Sequence, residues 1–305
     1  MRYVVTGAAG FVGSHLVEAL EAGGHEVVGI DCFTDYYDPA RKEENAAGHD
    51  VRRLDLAEDE LDFAGFDGVF HLAGQPGVRS FGSVFPLYVR RNLLASQRVF
   101  EAAAAAGARV VFRSSSSVYG DAEAYQTPEG ATPRPLSPYG ITKLACEHLA
   151  VAYAADFGLD SVVLRYFTVY GPRQRPDMFM ARVVAALAEG ASFELYGDGS
   201  QSRSFTFVGD AVAATAAAME RAPGGALYNV GGGEEATVNE AIATLERLSG
   251  RRLELRRGPR AAGDVARTKA DTSRIEAALS WRPATTLEDG LRAQWEWALG
   301  RVVAR

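Results

Sequence analysis

Tyr139 and Lys143 are the residues whose types and spacing most directly predict chemistry in this sequence. At positions i and i+4 of a helix they lie on one face, which brings the ammonium close to the phenol. A free tyrosine has a pKa near ~10, but a fixed cation stabilises its phenolate, so that it can act as a base near neutral pH. Such a phenolate can take a proton from a sugar hydroxyl while hydride leaves the same carbon. The alternative for a lone Y-x-x-x-K is a surface pair, so the surrounding motifs have to decide.

A glycine-rich loop near the start of the chain predicts a dinucleotide site. Gly7, Gly10 and Gly13 have the spacing G-x-x-G-x-x-G, between a β-branched strand end and a helical run that begins at Ser14. The first glycine permits a tight turn, the second lets a pyrophosphate approach the backbone, and the third lets the helix pack closely on its strand. Free N–H groups at the helix N-terminus attract phosphate. Asp31 closes the next apolar run, as this fingerprint requires; the alternative is a plain turn with Asp31 as a strand-end residue.

Residues 114–117 are four serines in a row. They follow a predicted buried strand over 109–114, at the carboxyl edge where open α/β sheets bind ligands. The run is either a hydroxyl-rich turn or a set of short hydrogen-bond donors that face a substrate. The Tyr139/Lys143 pair, which follows the same strand, favours a substrate site.

Alternating strands and helices have to position these residues. Apolar runs predict strands over 2–5, 27–30, 51–56, 69–73, 109–114 and 161–166, and helical patterns lie between them, the longest over about 86–106 and 138–157. This alternation predicts an α/β fold with a doubly wound parallel (Rossmann) sheet and helices on both faces. We expect residues 1–169 plus about 205–235, including strands over 205–208 and 226–230 that return to the sheet, to form the dinucleotide-binding domain. About 170–204 plus 236–305 then form a smaller α/β C-terminal substrate lobe.

Composition and charge exclude several classes of protein. The balance of 32 basic against 39 acidic side chains gives a net charge of −7, which argues against a nucleic-acid or anionic-membrane partner. Cys32 and Cys146 lie far apart without metal spacing, so we expect no metal site, no disulfide scaffold and a reducing cytoplasm. The first strand begins almost at once, which leaves no room for a signal peptide, and no apolar run is long enough to span a bilayer.

Taken together, the motifs resemble those of the extended short-chain dehydrogenase/reductases that act on nucleotide sugars, over essentially the whole chain. They are the glycine loop, the serine run, the Tyr139/Lys143 pair, R-Y-F-T-V-Y-G-P at 165–172 and G-D-G-S-Q-S-R-S-F at 197–205. The resemblance implies that Tyr139 is the catalytic base, that Lys143 holds the nicotinamide ribose, and that Ser115 polarises the C4–O bond of the sugar.

The same resemblance implies an NAD cofactor. Asp31 would take the adenosine ribose hydroxyls, and since no arginine follows it immediately to receive a 2′-phosphate, NAD is favoured over NADP. Asp55 and Leu56 would flank the adenine. The complete set of implied cofactor residues is Gly7, Gly10, Phe11, Val12, Gly13, Asp31, Thr34, Asp55, Leu56, Leu72, Ala73, Gln75, Tyr139, Lys143, Tyr166 and Val169.

Positions 116 and 117 separate the members of this family. The 4,6-dehydratases carry Asp-Glu there and the UDP-glucuronate decarboxylases carry Glu at 117, whereas this chain has Ser116 and Ser117. A 4-epimerase remains, and residues 31–38, 75–79 and 166–178 resemble the UDP-glucuronate 4-epimerases; UDP-galactose epimerases usually have Asn where Thr168 stands. The alternatives are a UDP-glucose/UDP-galactose-type epimerase, a decarboxylase and, from another class, a nicotinamide-sensing protein with an idle site.

A UDP-uronate substrate would need hydroxyls for its carboxylate and arginines for its diphosphate. Serine hydroxyls can donate charge-assisted hydrogen bonds to the carboxylate, which Asp or Glu would repel. Arg203 matches the family element G-D-G-x-x-x-R and is favoured for phosphate over a surface salt bridge, while Arg260 fits either role. The candidate substrate residues are Arg79, Ser115, Ser116, Ser117, Tyr139, Thr168, Arg175, Arg182, Arg203 and Arg260. The helices over 86–106 and 138–157 resemble those through which family members dimerise, so we expect a homodimer.

Overall fold

The computed structural model of this protein describes residues 1–77, 82–122, 125–259 and 267–303. Its strands are β1 (Arg2–Thr6), β2 (Glu26–Asp31), β3 (Val51–Arg53), β4 (Gly68–His71), β5 (Arg109–Ser115), β6 (Ser161–Tyr166), β7 (Thr168–Tyr170), β8 (Phe193–Tyr196), β9 (Ser202–Phe207), β10 (Leu227–Val230), β11 (Glu235–Thr237), β12 (Leu255–Gly258) and β13 (Arg267–Thr268). Its helices are α1 (Phe11–Ala22), α2 (Ala40–Ala46), α3 (Phe85–Tyr88), α4 (Ala95–Ala106), α5 (Pro138–Phe157), α6 (Phe179–Glu189), α7 (Val208–Arg221), α8 (Val238–Ser249), α9 (Ser273–Leu279) and α10 (Leu287–Val303). A π-helical segment, Val89–Leu94, joins α3 to α4.

A seven-stranded parallel sheet in the order β10-β6-β5-β4-β1-β2-β3 forms the centre of the molecule. Both of its faces are buried, because neighbouring residues of β1 enter different cores: Val5 packs with residues of α1 and α7, and Val4 with residues of α4 and α5. Continuous apolar strands covered by helices on two sides are what a parallel sheet requires. The predicted doubly wound α/β fold is therefore confirmed.

The strand order reverses at β1, which determines where a ligand can bind. From β1 the chain moves outward through β2 and β3, and then returns to β4 on the other side of β1 and continues through β5 and β6. The connections on the two sides leave the sheet in opposite directions, so a crevice opens at the carboxyl ends of β1 and β4. The glycine loop follows β1, and the serine run follows β5.

A smaller α/β unit covers this crevice. Strand β9 pairs with β7, β11 and β13, strand β8 pairs with β12, and helices α6, α8 and α10 share an apolar core with them. One expectation was wrong: the strand over 205–208 lies mainly in β9 and does not return to the central sheet. Phe205 instead fills the core of the smaller unit, and it is β10, after α7, that rejoins the central sheet.

The ranges that the structure describes contain neither a membrane-spanning helix nor a cluster of metal-ligating side chains. No helix there is both long and apolar enough to cross a membrane. Within the same ranges, no group of three or more His, Cys, Asp or Glu side chains could hold a metal ion. Cys32 and Cys146 are both free thiols, and the second is buried.

Candidate active site

One cavity of about 730 Å³ runs along the carboxyl edge of the central sheet, beneath the smaller unit. All sixteen predicted cofactor residues line it, from Gly7 to Val169. So do eight of the ten predicted substrate residues, namely Ser115, Ser116, Ser117, Tyr139, Thr168, Arg175, Arg182 and Arg203. Arg79 and Arg260 lie outside the described residues.

The glycine loop leaves room for a phosphate at the N-terminus of α1. Gly7 has a φ of +71°, which only glycine adopts easily, and a Cβ on Gly13 would lie 2.1 Å from the Gly7 carbonyl oxygen. Gly10 occupies the N-cap without any side-chain cap, and the first turn of α1 contains no acidic residue. The helix N–H groups are therefore available to an anion, as a dinucleotide pyrophosphate requires.

Asp31 is held by a lysine that the sequence did not single out. Its Oδ1 accepts hydrogen bonds from Lys42 Nζ at 2.9 Å and from the Phe33 N–H at 2.8 Å. Both the Asp31 and the Lys42 side chains are buried. This anchoring orients the carboxylate at the wall of the cavity. Lys42 stands eleven positions after Asp31 on α2, and nothing in the local pattern connects the two.

Tyr139 and Lys143 lie in the first two turns of α5. The Ser137 side chain caps this helix by accepting a hydrogen bond from the Gly140 N–H, and Pro138 opens its first turn. Tyr139 is 9% exposed and Lys143 only 2%, so both side chains are almost removed from water. Lys143 Nζ donates to the Arg113 carbonyl oxygen at 2.8 Å and lies 6.0 Å from the centre of the Tyr139 ring.

The surroundings of Tyr139 favour its ionised form. Burial alone would raise the pKa of Tyr139, but Lys143, Arg113, Arg175 and a hydrogen bond from Ser115 together bring it below the ordinary tyrosine value. Burial also lowers the pKa of Lys143, partly offset by the attraction of Tyr139. A buried phenol whose charged form is stabilised by neighbouring cations can serve as a base.

Two polar networks that the sequence analysis missed hold these elements in register. Glu147 accepts from Ser114 Oγ at 2.5 Å and forms an ion pair with Arg165 at 2.6 Å, which ties β5, α5 and β6 together. Asn92, on the π-helical segment, accepts from the Gln75 N–H at 2.6 Å and donates to Thr142 Oγ1 at 3.0 Å. In the sequence, polar residues within otherwise apolar strands and helices are the signal that could have indicated these networks.

The arginines of the cavity have different partners. Arg175 forms an ion pair with Asp177 at 3.0 Å, and Tyr36 from the loop after β2 donates to the same carboxylate at 3.2 Å. Arg182 lies over the Phe193 ring at 5.1 Å. Arg203 Nη1 donates to the Ser202 carbonyl oxygen at 2.8 Å. Arg182 on α6 and Arg203 on β9 belong to the smaller unit, so their charges line the cavity from that unit.

His71 is a fully buried polar residue whose two ring nitrogens both have partners within the protein. It lies between Thr6 Oγ1 at 2.7 Å and Ser96 Oγ at 2.9 Å. Burial, with a smaller effect of the Lys143 charge, lowers the pKa of His71 to about 3. The imidazole is therefore neutral and structural.

The fold and the site together define a dinucleotide-dependent enzyme with a tyrosine/lysine pair. The family described as the NAD dependent epimerase/dehydratase family matches residues 3–231. The chain belongs to this family. The resemblance noted in the sequence is confirmed, and so is NAD as the cofactor.

Individual relatives match over nearly the whole chain. An uncharacterized UDP-glucose epimerase of Bacillus subtilis is 40% identical over 95% of this chain and 96% of its own length. The UDP-glucuronate 4-epimerase of Thermodesulfobacterium geofontis is 33% identical, over 97% and 95%. The crystal structure of UDP-glucuronic acid 4-epimerase from Bacillus cereus, in complex with UDP-glucuronic acid and NAD, aligns with a TM-score of 0.93 at 38% identity, over 99% of this chain and 100% of that chain.

Proposed function

We propose that this protein is an NAD-dependent UDP-glucuronate 4-epimerase, which interconverts UDP-glucuronate and UDP-galacturonate through a transient 4-keto sugar. The observation that carries the proposal is the set of hydroxyls, Ser116, Ser117 and Thr168, that line the cavity together with the Tyr139/Lys143 pair. Dehydratases and decarboxylases of the resembled family have carboxylates at 116 or 117. The relatives with UDP-glucuronate in their names support the same substrate.

The residues present fit an NAD cofactor. The uncapped N-terminus of α1 suits its diphosphate, and the Asp31 Oδ2, opposite the oxygen that Lys42 and Phe33 engage, suits a ribose hydroxyl. When bound, NAD supplies the site that takes up the C4 hydride and gives it back. Lys143 would hold the nicotinamide ribose, and Asp55 and Leu56 the adenine.

In the proposed reaction, Tyr139 takes the proton of the C4 hydroxyl as that carbon becomes a ketone. It returns the proton after the sugar has rotated. Ser115 donates a hydrogen bond at the same oxygen, and Lys143 stabilises the phenolate form of Tyr139 before the proton is taken and after it has been returned. The sugar has to rotate so that its opposite face is presented. We therefore propose that binding energy comes mainly from the nucleotide and diphosphate, through Arg182 and Arg203 as well as Arg79 and Arg260.

Decarboxylation is the side reaction that this site has to avoid. A uronate oxidised at C4 is a β-keto acid, and it loses carbon dioxide when the bond to its carboxylate stands perpendicular to the ketone plane. We propose that Ser116, Ser117 and Thr168 donate hydrogen bonds that hold the carboxylate away from that alignment. Arg175, whose charge also acts on Tyr139, would add a cation on the same side.

The test is incubation of the purified protein with UDP-glucuronate, followed by anion-exchange chromatography of the products. UDP-galacturonate is expected, and Tyr139→Phe should lower its rate by about 10²–10⁴-fold with NAD still bound. UDP-pentose as the main product would replace this proposal with a decarboxylase. Turnover of UDP-glucose alone would favour the second candidate, a UDP-glucose 4-epimerase, which the name of the Bacillus subtilis relative supports.

The proposed role of the hydroxyls in preventing decarboxylation is tested by substitution. The double variant S117A/T168V should release UDP-pentose alongside UDP-galacturonate, because the carboxylate loses two of its three proposed hydroxyl donors. The variant T286V is a control, since Thr286 caps α10 by hydrogen bonding to Asp289 and does not line the cavity. A double variant that is slower but forms no pentose would show that the hydroxyls do not direct the carboxylate.

We also propose how the chain divides and assembles. The dinucleotide would bind to residues 1–169 together with α7 and β10, and the nucleotide sugar to the remaining lobe, which includes β9. A homodimer through α4 and α5 is supported by the exposed apolar side chains of Ile141, Val151 and Phe157, of which the last two are 68% and 66% exposed. A monomeric mass in light scattering at micromolar concentration would contradict it. The two free thiols support a location in the reducing cytoplasm.

A further inference from the structure

Arg113 is a charged residue of the cavity to which the proposed reaction assigns no role. It lies on β5, two positions before Ser115, and its side chain lines the cavity. Its guanidinium lies over the Tyr166 ring, with Cζ 5.1 Å from the ring centre. Its carbonyl oxygen accepts the hydrogen bond from Lys143 Nζ at 2.8 Å. The residue therefore contacts Lys143 through its backbone and lies at the wall of the cavity.

The part of the protein that the structure describes does not compensate the charge of Arg113. Within the described residues, no carboxylate lies at ion-pair distance from its guanidinium, and its buried Nε has no hydrogen-bond partner. By contrast, Arg165 is paired with Glu147, and Arg175 with Asp177. An unpaired, partly buried cation acts on neighbouring groups over a longer range than one that is neutralised locally.

We propose that Arg113 is a positioning residue of the reaction: a second fixed cation that, with Lys143, keeps Tyr139 ionised and so sets the lower end of the pH range in which the enzyme works. The proposal rests on the role of Tyr139 as base under the proposed function. It depends on the position of Arg113 and its lack of a counter-ion, and not on which nucleotide sugar is bound.

Three cations and one hydroxyl act on Tyr139, and their own partners explain why Arg113 matters. Burial opposes ionisation and raises the pKa of Tyr139, whereas Lys143, then Arg113, then Arg175 and the Ser115 hydroxyl lower it. The charge of Arg175 is shared with a carboxylate. Arg175 in turn interacts electrostatically with Asp177 and Tyr36. Lys143 interacts in the same way with Glu147, Cys146 and His71.

Arg113 also does something that Lys143 cannot. Burial lowers the pKa of Lys143, so this ammonium can lose its proton at alkaline pH and then no longer supports a phenolate. A guanidinium stays protonated at every accessible pH. With Arg113 present, the electrostatic support of Tyr139 therefore does not depend on one titratable neighbour.

The test is a spectrophotometric titration of the purified protein, which requires no substrate. Ionisation of tyrosine is followed by the ultraviolet absorbance of phenolate, and subtraction of the Tyr139→Phe titration isolates residue 139. In Arg113→Met the midpoint of this difference should move to higher pH, and in Arg113→Lys, which keeps the charge, it should move less. The acid limb of the kcat/KM profile should move in the same direction, with a loss on the order of tenfold at pH 6 and less than about threefold at pH 9.5.

Arg109→Met is the matched control. Arg109 stands at the other end of the same strand and is partly buried, but its guanidinium is paired with Asp160 at 3.4 Å and it does not line the cavity. Its variant should leave the Tyr139 titration unchanged. Arg113→Gln provides a smaller neutral replacement if the methionine variant does not fold.

Two results would overturn the inference. One is an unchanged titration midpoint in a folded neutral variant of Arg113, and the other is an equal change in Arg109→Met. The proposed substrate fails separately. If the protein does not epimerise UDP-glucuronate but the titration moves as expected, the role of Arg113 stands and the substrate assignment falls.

Discussion

Replacing Glu147 with glutamine tests whether a buried ion pair holds the catalytic elements together. Arg165 contacts this carboxylate through Nη2 at 2.6 Å and through Nε at 3.0 Å, and the two side chains are only 5% and 7% exposed. Ser114 Oγ donates to the same carboxylate at 2.5 Å. The Glu147 carboxylate on α5 therefore joins three elements. It links α5, which also carries Lys143, to β5, which ends in Ser115, and to β6.

The expected loss of stability follows from what the variant leaves behind. Removing one partner of a buried ion pair costs about 3–5 kcal/mol, because the other charge remains in a medium that solvates it poorly. Glutamine keeps one oxygen that can accept from Ser114, so we expect the lower end of that range, about 3 kcal/mol. Activity should fall as well, since displacement of a catalytic group by about 1 Å can cost about 10²-fold.

The assay is urea unfolding of four proteins: the parent, Glu147→Gln, Arg165→Met and the double variant. In a double-mutant cycle the two single losses should sum to at least about 2 kcal/mol more than the double loss, because the double variant buries no unpaired charge. The exposed pair Arg247 and Glu288, 2.8 Å apart, provides the control, and Glu288→Gln should leave the urea midpoint nearly unchanged. The reasoning would be refuted if the losses in the free energy of unfolding were additive in the cycle. It would also be refuted if the urea midpoint of Glu147→Gln were as close to the parent as that of Glu288→Gln.

Two further predictions concern the glycine loop and the buried histidine. Gly13→Ala should abolish NAD retention, because its Cβ would lie 2.1 Å from a backbone oxygen. The control Gly130→Ala, whose Cβ would have nothing within 4 Å, should bind NAD normally. Retention is measured by the absorbance of released cofactor, and equal retention in the two variants would contradict this prediction. His71 has a pKa of about 3 in the fold but about 6.5 when unfolded. The contribution of neutral His71 to the free energy of unfolding is therefore fully present above pH 6.5. It is lost as the pH falls toward 3, because in this range only the unfolded chain takes up the proton. In urea unfolding between pH 7 and 4.5, His71→Asn should lose less stability than the parent, and a parallel loss would exclude His71 as the cause.

The sequence alone was sufficient where the chemistry depends on local spacing. The glycine loop works through the backbone of one turn and one helix start, so its residues could be read directly. Tyr139 and Lys143 share a helix face because they are four positions apart, and the parallel sheet follows from repeated strand–helix alternation. These features need no knowledge of which strands are neighbours.

Contacts between distant segments were decided only by the tertiary structure. The pairing of Lys42 with Asp31 spans eleven positions and two elements, and that of Arg165 with Glu147 depends on β6 lying beside β5. The position of residues 205–208 in the smaller sheet could not be predicted either, because an apolar strand pattern does not say which edge it will join. Arg113 is the clearest case: the sequence places a charge in a buried strand, but only the packing of β5, β6 and α5 shows that this charge meets a cavity and finds no carboxylate among the described residues.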